Sequence, residues 1–466
     1  MTDWIARFFG MAGESDRAKR LVKIVVSFTP ISAIAFMMST TFYSIFIART
    51  LFPSPSPLEY GMAVVGILST IGLAVESLLD YPSGGLGDWV GQRWIIFTSM
   101  ICYAAAMVLM SFAQASFTFF LIVYLLQAVA AAQQSGAIGS WFDNNYRVAA
   151  KDPKRSAYSV AQGRMGMLFQ IVATVSLIPG AILAGLLGRQ AVFLFQAVLL
   201  TIMGFGALAL FRDFPEVTAN RPRRSLRAYY RLLKDGLKFT VSSKLVFLFL
   251  IGETLMSSVI VVWGNLLLFL IYYTYLYNDV AVATFRTVLF AAGVVSIERA
   301  GVWTRNLVPP RWIAKFRLFQ TCGPAFMFAF AAITFLLPKL PAEPPFPFMF
   351  LQLPAVLISL GFILCGFFGA SGDLLSQRLM LDLVPDRIRN GIYSLVPSLT
   401  IGLAVPQLLF FAIWLPVLGV PTILACLSLI SAIGCLLLVT GLRRAPTTIP
   451  SKEKEEPSIS PPKTTP

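Results

Sequence analysis

Ionisable residues set inside apolar sequence carry the most information here, because a charge in such a place must be neutralised, paired or kept wet. Glu76 and Asp80 stand four residues apart, one helical turn, in Ala74-Val75-Glu76-Ser77-Leu78-Leu79-Asp80. Two carboxylates so placed resist double ionisation in a low-dielectric setting, so one of them can hold and release a proton. Asp80 has the alternative of resting in headgroup water and only ordering the turn that follows. Glu253, Arg164 and Arg286 are further charges embedded in apolar stretches. Glu253 suits protonation or contact with a cationic group; Arg164 suits an anionic ligand or a partner carboxylate. Arg286, near the end of its stretch, is expected to reach water with its long side chain. Structural pairing alone is the competing role for each. Histidine is absent, so proton chemistry rests on carboxylates. No Walker-type phosphate loop, metal-ligand cluster or nucleophile–base pair occurs, which leaves ATP hydrolysis, enzymatic catalysis and a bound cofactor without residues to support them.

The segments that hold these charges are long enough to cross a bilayer, which takes roughly 20 apolar residues per helix. The first six apolar runs cover 21–48, 61–81, 94–113, 117–140, 157–187 and 191–211. The second six cover 245–277, 280–301, 312–336, 348–376, 390–418 and 421–442. The chain is 57% hydrophobic and 13% charged, against about 25% charged for a soluble protein. Its net charge of +15 does not indicate nucleic acid, because the basic residues are not spread evenly. Of 37 Lys and Arg, only Arg49, Arg189 and Lys339 fall in one set of alternate connections, the pattern that marks the other set as cytoplasmic. The expected architecture is all-α, with twelve transmembrane helices, both termini cytoplasmic, in the plasma membrane.

Residues 1–20 read as an amphipathic cytoplasmic lead-in, with Trp4, Ile5, Phe8 and Phe9 among charges. The connection 212–244 divides two six-helix halves, 21–211 and 245–444. Its Leu226, Tyr229, Tyr230, Leu233 and Leu237 recur at helical spacing beside Arg227, Arg231, Lys234 and Lys238, as expected of a helix lying on an anionic leaflet, a solvated linker helix being the alternative. Residues 445–466 are rich in Pro, Ser, Thr, Lys and Glu and are expected to be disordered. Cys102, Cys322, Cys365, Cys426 and Cys435 all lie within apolar runs and serve packing. The halves echo one another. Arg93-Trp94 recurs as Arg311-Trp312, and the same offset carries Asp80 onto Glu298 and Asp88 onto Asn306.

Between the second and third runs lies Gly84-Gly85-Leu86-Gly87-Asp88-Trp89-Val90-Gly91-Gln92-Arg93, a glycine-rich turn with one acid and one base. Its spacing and setting resemble the corresponding loop of the major facilitator superfamily of secondary transporters. Gly84, Leu86, Asp88, Gly91 and Arg93 fit that pattern, while Trp89 and Gln92 replace two basic residues. The resemblance spans roughly residues 20–443 and implies two six-helix repeats that rock about a central site. It further implies a latch: Asp88 against the helix start near Asn390, and Arg93 paired with Asp143. The first, fourth and seventh spans would line the cavity, offering Thr41 and Tyr43, Gln133 and Gln134, and Trp263 and Asn265, with Arg164 and Arg286 nearby. Glu76, Asp80 and Glu253 are the coupling carboxylates to consider. Gln127 stands where proton-coupled exporters carry an arginine, and their glycine-rich fifth-span pattern survives only loosely around Gly180 and Gly185.

The function expected is alternating-access transport of a small organic solute by a monomer. Proton-coupled export of amphiphilic compounds is one form of it; uptake or facilitated passage of a metabolite, anionic if Arg164 contacts it, is another. A receptor or scaffold that kept the fold is the competing class.

Overall fold

The computed structural model describes residues 3–134, 137–150, 156–219, 234, 238–241, 243–304, 306–337, 353–383 and 386–444, and every regular element among them is a helix. A short α1 (Asp3–Phe8) precedes α2 (Asp16–Met37). Ser15 caps α2: its Oγ accepts from the Ala18 N–H at 3.1 Å, while Asp16 complements the dipole in the first turn. The first half continues with α3 (Tyr43–Leu51), α4 (Leu58–Val90), α5 (Gln92–Ser111), α6 (Phe117–Gln134), α7 (Ala137–Ala149), α8 (Ser156–Leu187) and α9 (Arg189–Leu210). After α10 (Pro215–Ala219), the second half holds α11 (Lys244–Val262), a π-helical turn (Trp263–Leu267), α12 (Leu268–Leu276) and α13 (Asp279–Trp303). It closes with α14 (Pro309–Phe319), α15 (Pro324–Leu336), α16 (Leu353–Leu383) and α17 (Asp386–Leu442). The apolar stripe from Leu226 to Leu237 and the tail 445–466 lie outside the described residues.

Among the described residues, eleven helices are long and apolar enough to cross a membrane. The count differs from twelve because runs 390–418 and 421–442 fall in one element, α17, whose helical backbone is interrupted at Gly419 (φ 69°, ψ 165°). Successive spans alternate in direction, so Gly91 at the end of α4 and Trp303 at the end of α13 share one end of the bundle. Gly188 and the Tyr277-Asn278 connection share the other.

Three runs that read as continuous are broken. In the first, Met38–Phe42 leave the helix: the Thr40 hydroxyl donates to the Met37 carbonyl at 2.5 Å, and the Tyr43 N–H turns back to the Ser39 carbonyl at 2.8 Å. The Ser39-Thr40-Thr41 run explains the break, since hydroxyls compete with the backbone for helix carbonyls. Gly180 of α8 packs here so closely that a Cβ would overlap the Met38 carbonyl oxygen. In the seventh run, the π turn at Trp263–Leu267 replaces one regular turn. In the ninth, Gln320–Gly323 separate α14 from α15, with Cys322 at φ 62° and Pro324 opening the next helix, where its missing N–H costs nothing.

The glycine-rich segment corrects another expectation. It is helical as far as Val90, and the chain reverses only at Gly91, whose φ of 99° suits glycine. The halves meet along a seam where α4 packs on α17, α8 on α13, and α3 on α12. One apolar cluster runs through both halves; a smaller one, including Phe249, Ile313, Leu375 and Leu438, belongs to the second half alone.

Candidate functional site

The interrupted first and seventh spans face each other across a cavity of about 580 Å³. Breaks at corresponding positions of two repeats free backbone and polar side chains at mid-depth, the arrangement that marks a binding site in a membrane protein. Ser39, Thr40 and Tyr43 contribute from the first span, Gly264 and Asn265 from the seventh. Gln127 and Gln134 of α6, Tyr103 of α5 and Gln196 of α9 complete the polar wall, while Phe169 and Phe269 supply apolar surface. The Tyr43 hydroxyl donates to Gln127 Oε1 at 2.9 Å, and Gln196 Nε2 donates to the Ala35 carbonyl at 2.6 Å. Asn265 Nδ2 donates to Val261 O at 2.9 Å within the π turn.

Glu76 lines the same cavity and has no hydrogen-bond or ion-pair partner among the described residues. Its charged neighbour is Asp80, one turn along α4 and exposed. Arg286 of α13 is likewise without a carboxylate. Its guanidinium lies 5.0 Å from the ring centre of Phe269 and 4.7 Å from that of Phe290, and its buried Nε has no acceptor among the described residues. Arg286 is half-buried, with Nε enclosed and two aromatic rings beside its guanidinium.

At the Gly188 end a charge pair joins the halves. Asn278 caps α13 through the Ala281 N–H at 2.9 Å and places Asp279 at its first position. Asp279 accepts from Arg189 at the start of α9 at two points, Nε at 2.8 Å and a terminal nitrogen at 2.7 Å, and from the Tyr273 hydroxyl. Thr287 of α13 also donates across the seam, to Thr174 O at 3.3 Å.

A different cluster occupies the second half. Arg317, only 7% exposed, is held by Glu253 at 2.6 and 3.0 Å, by Asp373 at 2.7 Å and by Gln320 Oε1 at 2.6 Å. The Ser376 hydroxyl donates to Glu253 at 2.9 Å. Glu253 thus faces α14 and α16 rather than the cavity, correcting its expected role as an accessible coupling carboxylate. Arg317 and Asp373 escaped the reading of the sequence because they sit near the ends of their apolar runs, where a charge costs little.

Other expected residues divide. Tyr43, Gln134, Asn265 and Glu76 line the cavity. Thr41 is fully buried beside it without a partner for its hydroxyl among the described residues, and Gln133 turns to α5, accepting from Thr98 at 2.6 Å. Trp263 packs among Phe326, Phe330 and Phe362. Arg164 is corrected as a ligand residue: it lies 4.9 Å over Phe8 and donates to the Arg7 carbonyl at 3.4 Å, fastening α1. Asp143 pairs with Arg147 at 2.6 Å one turn on, and Arg93 lies against Trp94 at 5.7 Å, so the Arg93–Asp143 pair is not formed. The surroundings of Gly84 and the side chains of Asp88 and Asn390, and so the other half of the latch, lie outside what the structure describes.

A family model, the Major Facilitator Superfamily, matches residues 29–351. No curated protein matches the sequence. Among solved structures, the fold is similar to an auto-inhibited peptide transporter of the POT family, at TM-score 0.68 and 10% identity, covering 92% of this chain and 97% of that one. It is also similar to the nucleoside transporter NupG, at TM-score 0.65 and 12% identity over 92% of this chain and 100% of that one. A D-xylose-proton symporter gives TM-score 0.66 and 11% identity, with 93% and 98% coverage. At such identities the likeness is one of fold.

Proposed function

The chain belongs to the Major Facilitator Superfamily, and on that premise we propose that it is a proton-coupled secondary transporter, passing a small organic solute through the central cavity by alternating access. It crosses the plasma membrane twelve times, α17 making two crossings that turn at Gly419. Both termini lie in the cytoplasm, where the Lys- and Arg-rich connections belong. Between described residues, the hydrogen bonds and ion pair that join the halves, Arg189–Asp279, Arg189–Tyr273 and Thr287–Thr174, sit from the Gly188 end to mid-depth. That end is the external one, and the Arg189–Asp279 clamp holds it closed in this state. Rocking to the other state must break the Arg189–Asp279 clamp.

The observation that carries the reading is Glu76, an unpaired carboxylate on the wall of a mid-span cavity. A carboxylate there is tolerated either by taking a proton or by facing water, and the two alternate as the cavity opens and closes. Solute and proton therefore share one closing event.

Purified protein in vesicles loaded with a pH-reporting dye tests this against a panel of carboxylates, amines, sugars and nucleosides. At least one solute should move protons through the wild type, and Glu76→Gln should abolish that movement. Undiminished solute-driven proton movement in Glu76→Gln sinks the coupling assignment.

A further inference from the structure

We propose that the solute is an organic anion with an apolar body, and that its carboxylate binds the guanidinium of Arg286. The inference rests on the transport reading above and names the substrate class of its cavity.

Several other guanidinium groups within or at the ends of the described spans have acceptors, among them Arg164 on Arg7 O and Arg378 on Thr304 O. Arg317 has Glu253 and Asp373, and Arg189 has Asp279. Arg286 has neither an ion pair nor a hydrogen bond among the described residues, and its buried Nε is a donor left unmade. Such a donor keeps its full desolvation penalty until an acceptor arrives.

Its place is suited to a ligand. Phe269, the first ring, is itself a cavity wall. Phe290, the second ring, packs in the cluster of Leu177 and Ala181, which also takes in the cavity residue Met37. The next residue, Thr287, bonds across the seam to α8. Arg286 therefore stands behind the cavity residue Phe269, one residue from a hydrogen bond that joins the halves. Aromatic rings cannot accept as a carboxylate does, so the guanidinium's N–H groups are left for a planar, two-oxygen acceptor.

The sign of the missing charge follows from chemistry. Glu76 can lose its charge by binding a proton; a guanidinium cannot lose its own in a protein. When the cavity closes with Glu76 protonated, one positive charge remains, and an anion cancels it. Glu76 lies on the first half and Arg286 on the second, and they do not pair with each other. Proton and anion can thus enter together, each neutralising one half of the site.

The test is thermal stabilisation of the purified full chain by acetate, hexanoate and benzoate, each against its own amide, with benzylamine, chloride and inorganic phosphate alongside. Binding to the native state raises its apparent stability. A larger carboxylate should stabilise the wild type while its amide and the amine do not. Arg286→Gln should weaken that binding tenfold or more, Arg286→Lys should restore part of it, and Arg164→Gln should leave it intact. The proposal is overturned if no carboxylate stabilises the wild type, or if an amide or amine does so equally. It also falls if chloride or phosphate alone gives the full effect, or if Arg286→Gln with an unchanged unliganded melting point binds the acid as the wild type does. In the vesicle assay, proton movement driven by an amine or sugar but never by an acid would leave the transport reading standing and remove this one. Acid binding with no solute-driven proton movement would do the reverse.

Discussion

Arg317 and Arg286 are both arginines inside the second half, and their surroundings are opposites. Arg317 is held by two carboxylates, an amide oxygen and, through Glu253, a hydroxyl. Arg286 meets two aromatic rings and, among the described residues, no carboxylate. A charge whose partners are all supplied by the fold is committed to holding helices together. One whose partner is missing costs stability in the resting protein and is kept for something that arrives. The Arg317 cluster joins α11, α14 and α16 within one half, where nothing needs to move. Arg286 lies on the seam, where something does.

The largest effect that can break this comparison is on stability. Removing one member of a buried ion pair strands the other and costs about 3–5 kcal/mol. Arg317→Gln strands Glu253, which is 12% exposed, so it should lower the melting temperature sharply or prevent recovery of folded protein. Arg286→Gln removes an uncompensated charge and should leave the melting temperature equal to or above that of the wild type. Equal losses from the two substitutions would mean that Arg286 has a structural partner after all, and the contrast would collapse.

A second comparison sets the clamp at the Gly188 end against the Arg317 cluster. The clamp is also a carboxylate–guanidinium pair, but Arg189 is 27% exposed and the two residues come from different halves. Asp279→Asn keeps the shape and cap of α13 while removing the charge. Hydrogen bonds to charged groups contribute about 1.5–3 kcal/mol, so the equilibrium should shift some 10–100-fold toward opening at the Gly188 end. Electron-spin distances between labels at Leu187 and Val288, both exposed, would report it in a background without the five cysteines. A widened distance population in Asp279→Asn, with global melting little changed, is expected. An unchanged distance distribution would make the pair a mere surface contact.

These comparisons also show what could be read from the sequence. Apolar runs and charge asymmetry specified a helical membrane protein in two halves, because hydrophobic length and net polarity are local properties. Glu76, Tyr43, Gln134 and Asn265 were legible for a related reason: a polar group in an apolar run has few places to go, and these four reach the cavity. Pairing was not legible. Glu253 reads as an open carboxylate until α14 and α16 bring Arg317 and Asp373 to it from 64 and 120 residues away along the chain. Arg189 looks like a lone external charge until α13 starts beside it. Three helix breaks were missed: one at hydroxyl competition, one at a π turn, and one at Gly323-Pro324 within a run that reads as continuously apolar.

The smallest effect concerns the segment ahead of α2, and it separates anchoring by packing from anchoring by charge. Ala6, Phe9 and Met11 are buried, and the Ser15 hydroxyl donates to Ala149 O at 2.5 Å. Against these stands one exposed pair, Arg17 with Glu216 at 2.9 Å. The Glu216 carboxyl is held below the usual carboxylate range, first by its own backbone N–H at the start of α10 and then by Arg17. A depressed carboxylate contributes above its unfolded value and loses that contribution as pH falls through the folded one. The pair therefore acts throughout neutral pH and weakens only in acid, below the ordinary carboxylate range. Exposed pairs of this kind contribute little, so Glu216→Gln at neutral pH should raise hydrogen exchange in residues 3–15 by no more than about threefold and leave the melting temperature unchanged. Acidification should raise exchange there in the wild type and add nothing in Glu216→Gln. Wholesale release of α1 by that one substitution would show that charge, and not the burial of Phe9 and Met11, fastens the segment.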